Sequence, residues 1–140
     1  MNSWLYWALG SALFAGLTAI FAKVGVESIS SHLATAIRTT VALIFCWALA
    51  LATTPLRQIT TVPAKAWTFL ILSGLATGLS WVCYFQALKL GPVSKVAPID
   101  KLSVVIAMGL AMALFGERLN ARELAGAALI VSGALVLAWK

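Results

Sequence analysis

Few side chains in this otherwise apolar chain of 140 residues could do chemistry, and Arg38 is the first of them. It stands about two turns into the apolar run 31–53. On insertion scales a charge at the centre of a bilayer costs at least roughly 2.5–3.5 kcal/mol, so it normally faces a cavity or a partner. Its planar guanidinium suits a carboxylate or phosphate on a substrate. The competing reading is that it snorkels to the nearer surface. Asp100 and Lys101 are adjacent, one to two turns into the run 94–115. Asp100 is the one acid placed at membrane depth, which makes it, with Lys101 beside it, the candidate for proton or ion coupling. Neighbours on a helix point about 100° apart, so the two are not expected simply to neutralise each other. A carboxylate stabilised by the dipole of a helix N-terminus is the alternative.

The run 65–88 carries the remaining polar groups. Ser73, Thr77, Ser80 and Tyr84 recur at helical spacing, with Trp81 beside them. Thr77, Ser80, Trp81 and Tyr84 are candidates for lining a substrate path, because polar groups at membrane depth turn inward. Trp and Tyr near a bilayer edge also serve as interfacial anchors, the expected role of Trp4, Trp67 and Trp139. Gln86 reads as an interhelical hydrogen bond.

Other chemistry lacks residues. The single histidine, His32, stands at a helix start. Cys46 and Cys83 lie within apolar runs, where a free thiol behaves as a small hydrophobe. His-Glu-x-x-His, Gly-x-Ser-x-Gly and Gly-rich phosphate loops are all missing from the sequence. The expectation is a non-enzyme with no cofactor and no metal. Glu117, in a short link, is expected to tie helix ends.

The elements that must position these residues follow from composition. The chain is 62% apolar and 10% charged, and its mean hydropathy is +1.00. A water-soluble domain carries roughly 25% charged residues, so lipid is the fitting solvent. Five apolar runs, at 3–22, 31–53, 65–88, 94–115 and 121–139, are each about as long as a spanning helix of ~20 residues. The first lacks a basic leader and a small-residue cleavage site, so it reads as a retained helix. The links are short: Lys23, Gly25 and Glu27 end the first run, a polar stretch 57–65 follows the second, and Gly91-Pro92 turns after the third. Asn120 is the expected N-cap of the fifth by residue type. The expected fold is an all-α membrane protein of one domain, 1–140.

Small residues mark packing faces. Ala8, Ala12, Gly16 and Ala19 form a ridge in the first helix, Gly74 and Gly78 in the third, and Gly126 and Gly133 in the fifth. Such ridges let backbones approach closely where lipid supplies no hydrophobic drive. The net charge of +6 is spread singly at the ends of apolar runs, which suits a bilayer surface and not nucleic acid. With the N-terminus inside, Arg57, Lys65, Arg118 and Arg122 fall on one side and Lys23, Lys89, Lys95 and Lys140 on the other. Arg38 and Lys101 lie nearer the second side. A bias this slight allows insertion both ways up.

The stretch Tyr84-Phe85-Gln86-Ala87-Leu88, then Gly91-Pro92-Val93 and Pro98, then Leu114-Phe115-Gly116-Glu117-Arg118-Leu119 and the pair Gly126 and Gly133, resembles the EamA domain of the drug/metabolite transporter superfamily. Arg38 also fits that pattern, and the resemblance covers the whole chain. It implies a five-helix unit that many relatives carry twice, as an inverted repeat, in a bacterial-type inner membrane. One copy here implies an antiparallel homodimer working by alternating access, exporting or exchanging a small polar or amphipathic molecule. The alternative is a non-transporting membrane subunit or half-transporter that assembles with a larger or second membrane partner. Small multidrug exporters of the superfamily carry a coupling glutamate in their first helix. Residues 3–22 here hold no acid, which argues against proton-coupled export of cationic drugs.

Overall fold

The computed structural model describes residues 3–55 and 57–139, apart from the side chains of Ile59 and Thr60. The described residues form helices and no strands: α1 (Ser3–Val26), α2 (Ser31–Thr53), α3 (Arg57–Thr60), α4 (Ala64–Leu90), α5 (Val93–Asp100), α6 (Leu102–Phe115) and α7 (Ala121–Ala138). Five spans are long and apolar enough to cross a membrane: α1, α2, α4, α5 with α6, and α7. The expected all-α architecture of five spans is therefore present.

Helix ends follow local chemistry. Ser30 accepts the Leu33 N–H at 3.2 Å and starts α2. Asn120 accepts the N–H groups of Arg122 and Glu123 at 2.9 and 3.0 Å, while the Glu123 carboxylate accepts the Asn120 N–H at 2.7 Å. This reciprocal box satisfies amides that an α-helix leaves without partners. Gly116 ends α6 at φ +66°, in the left-handed region where a Cβ would be strained.

Three boundaries differ from the sequence expectation. α1 runs four residues past Ala22, to Val26. Lys23 is tolerated in that last turn because its Nζ donates to the Leu88 carbonyl at 2.7 Å. Within the polar link, α3 makes one helical turn, begun by the Gln58 N–H donating to the Pro55 carbonyl at 2.9 Å. The fourth span is interrupted at Lys101. Pro98 lies inside α5 without an N–H, and its ring crowds the preceding turn. The chain responds with tighter turns, Lys101 N–H to Pro98 carbonyl at 3.1 Å and Val104 N–H to Lys101 carbonyl at 3.0 Å.

The chain divides into two compact units. One spans 22–89 and holds the end of α1 with α2, α3 and α4. Its core gathers at one end, where Val26 and Leu88 are fully buried with Phe85, Ala22 and Ala34 around them. Ser31, Ala34 and Thr35 are small and recur at i, i+3 and i+4, so this face of α2 can be covered closely. The buried hydroxyls there are satisfied, since Thr35 donates to the Ser31 carbonyl at 2.8 Å and Ser31 donates to Gln86 Oε1 at 2.5 Å.

The other unit comprises the residues up to Phe21 and those from Leu90 onward. In it α7 packs on both α5 and α6, and Ala19 and Ala134 are buried. α6 is apolar on every side and none of its residues is buried. That pattern belongs to a membrane-spanning helix.

Candidate functional site

Arg38 sits seven residues after the start of α2, about 10 Å along the axis at 1.5 Å per residue. It is half-buried. Its guanidinium carbon lies 4.1 Å from the centre of the Trp81 ring and 5.7 Å from that of Phe85. Tyr84, on the same part of α4, interacts electrostatically with it. Trp81, Tyr84 and Phe85 follow one another at i, i+3 and i+4, so one face of α4 presents three aromatic residues toward α2. No carboxylate among the described residues pairs with Arg38, and it donates no hydrogen bond to any of them.

The polar groups around this end lock α2 and α4 together. Gln86 makes the interhelical hydrogen bond expected of it, accepting from Ser31. Lys89 Nζ donates to the Ile29 carbonyl at 2.8 Å, and Lys23 ties the end of α1 to Leu88. Lysines often satisfy carbonyls left open at helix C-termini. Sequence reasoning missed Phe85 and both lysine tethers. Phe85 had a signal, its i+4 spacing from Trp81. The tethers join residues 60 and 65 positions apart and had none.

Of the other pathway candidates, Thr77 and Ser80 are exposed. Thr77 donates back to the Ser73 carbonyl of its own helix at 2.8 Å. At the opposite end of α2, a groove of about 240 Å³ opens between Trp47, Leu51, Thr54, Trp67 and Leu70. Trp47 lies nine positions after Arg38, about half a turn round the helix at 100° per residue, so the groove and Arg38 occupy different faces of α2.

Asp100 and Lys101 belong to the unit containing α5, α6 and α7. The expectation that they would not neutralise each other is corrected: Lys101 Nζ and Asp100 Oδ2 are 3.4 Å apart. The 100° argument assumed an unbroken helix. Here Lys101 is the junction between α5 and α6, and its long stem folds back on the preceding residue. Both side chains keep substantial exposure, 36% for Asp100 and 56% for Lys101, and an exposed pair contributes at most about 1 kcal/mol.

The glycine ridges are open. A Cβ placed at Gly74, Gly78, Gly126 or Gly133 meets no atom within 4 Å. The close approach expected at these positions is not made among the described residues of their own unit. Trp4, Trp67 and Trp139 are exposed near the ends of their spans, where interfacial anchors sit.

No solved structure matches the chain. It is 52% identical over 137 residues to a Sinorhizobium protein named "Uncharacterized transporter in cobO 3'region", covering 98% of this chain and 97% of that protein. It is 42% identical over 72 residues to a protein of Erwinia tasmaniensis named "Probable 4-amino-4-deoxy-L-arabinose-phosphoundecaprenol flippase subunit ArnF", covering 50% of this chain and 57% of that one. The model of the EamA-like transporter family matches residues 2–139. With five spans and that match across nearly every residue, the chain is a multi-pass membrane protein, in bacteria of the inner membrane, and it belongs to the EamA-like transporter family.

Proposed function

We propose that the protein is a small secondary transporter that moves a polar or amphipathic molecule bearing an anionic group, by alternating access in an antiparallel homodimer. The observation that carries this reading is Arg38, a guanidinium at membrane depth with no carboxylate partner among the described residues, in a chain of a transporter family. Thr77, Ser80, Trp81 and Tyr84 line the path, and Asp100 with Lys101 serves coupling. The near-even distribution of loop lysines and arginines supports insertion in both orientations. Two inverted copies then supply the symmetry on which alternating access rests.

A second reading has its own support. The Erwinia relative is named a flippase subunit, and its name specifies a phosphate-bearing undecaprenol lipid. On that reading the protein is half of a pair with another membrane chain, and Arg38 holds a lipid phosphate. Topology separates the two. Reporter fusions after Lys140 should place the C-terminus on both sides of the membrane if the protein is an antiparallel homodimer. A single orientation removes that model and leaves the heteromeric one.

A further inference from the structure

We propose that Trp81 and Phe85 act on the transported anion through Arg38: their rings hold the guanidinium from its face and leave its N–H edge for a carboxylate or phosphate. The inference rests on the reading of Arg38 as an anion site and assigns the residues that make it one.

An arginine can stay charged at membrane depth through an acidic partner, by reaching to the surface, or by lying over an aromatic face. An acidic partner would occupy the N–H groups and compete with an incoming anion. An aromatic ring attracts the cation and offers it no carboxylate. Guanidinium carries five N–H donors in its plane, and stacking on its face uses none of them. At 4.1 Å Trp81 is well within the ~6 Å over which such attraction acts, and at 5.7 Å Phe85 is close to its limit. The platform is fixed as well as close. Phe85 is 2% exposed, its neighbour Gln86 is bonded to Ser31, and Lys23 and Lys89 hold the end of α4 to the α1–α2 connection. With Arg38 over these rings, one face of each is taken and a positive charge stands beside it, which repels an organic cation. The arrangement therefore selects for oxyanions, and Phe85, which touches no substrate in this scheme, is a positioning residue.

The test uses the full-length purified protein in detergent, with inorganic phosphate as probe. Binding is followed through the side-chain N–H resonance of Arg38, assigned by its loss in Arg38→Ala. Trp81→Leu should weaken phosphate binding by about 10- to 30-fold, the upper figure corresponding to roughly 2 kcal/mol for a desolvated cation over a ring. Phe85→Leu should weaken it about threefold, and Trp81→Phe should restore most of the loss. The Arg38 resonance should move in Trp81→Leu before any phosphate is added, because the ring current above it is gone. Parental affinity in both Trp81→Leu and Phe85→Leu, with an unmoved resonance, overturns the role of the rings. If Trp81→Leu does not fold, Trp81→Phe and Phe85→Leu carry the same comparison. Phosphate binding unchanged in Arg38→Ala, read by isothermal titration calorimetry because that variant lacks the resonance, would overturn the anion site itself, whatever the rings do.

Discussion

The hydrogen bond from Ser31 to Gln86 offers the sharpest test of how α2 and α4 are held together. Ser31 is 4% exposed, so its hydroxyl has no ready access to another partner when Gln86 is removed. Leaving a buried donor unsatisfied costs about 1–3 kcal/mol, whereas replacing both partners by apolar groups is nearly neutral. Gln86→Leu should therefore destabilise by about 1–2 kcal/mol, and Ser31→Ala by about 1 kcal/mol. The double variant should lose less than the sum. Coupling energies for such bonds within membranes average about 0.6 kcal/mol and reach about 1.7 kcal/mol. The bond is part-buried, with Ser31 covered and Gln86 exposed, so its coupling should fall within that range. The assay is reversible unfolding in mixed detergent micelles, followed by helical circular dichroism, for the parent, the two single variants and the double variant. Both partners are neutral, so the coupling should be the same at pH 6 and pH 8. Single effects that add to within about 0.3 kcal/mol would refute the reasoning, because independent sites behave that way.

Three further outcomes follow from the geometry. Gly78→Leu should leave the helices of the single chain intact, since nothing lies within 4 Å of the new Cβ, and should lower the dimer fraction in chemical cross-linking if this ridge receives a second copy. Parental dimerisation would assign the ridge to lipid. Asp100→Asn should remove the pH dependence of transport into liposomes while substrate binding stays measurable, and a retained pH profile would end its coupling role. Asn120→Ala should destabilise by about 1 kcal/mol in the same unfolding assay, because the side-chain oxygen that accepts the Arg122 and Glu123 N–H groups is lost while the backbone N–H of residue 120 can still donate to Glu123.

The spans and several helix ends were legible in the sequence because they depend on local patterns. Apolar length defines a crossing segment, and Asn120 followed by Glu123 defines a cap whose partners are three residues apart. Gln86 was legible for a related reason, since an amide among apolar residues needs a partner on another helix. The interruption of the fourth span was signalled by Pro98, but a proline does not announce whether a membrane helix bends or breaks. The Asp100–Lys101 pair follows from that break and could not be read without it. The site around Arg38 was half legible. Its depth and charge stood in the sequence, and so did Trp81 and Tyr84, but the choice of rings over acid depends on how α4 turns toward α2. The lysine tethers are fixed by tertiary geometry alone.

The box at the start of α7 bears on how the protein enters its membrane. A segment passing from a translocation channel into lipid must hide its terminal amides or bring water with it. Asn120 and Glu123 close these amides from within a span of four residues. The start of α7 thus carries its own partners for these amides, independent of what α5 and α6 supply.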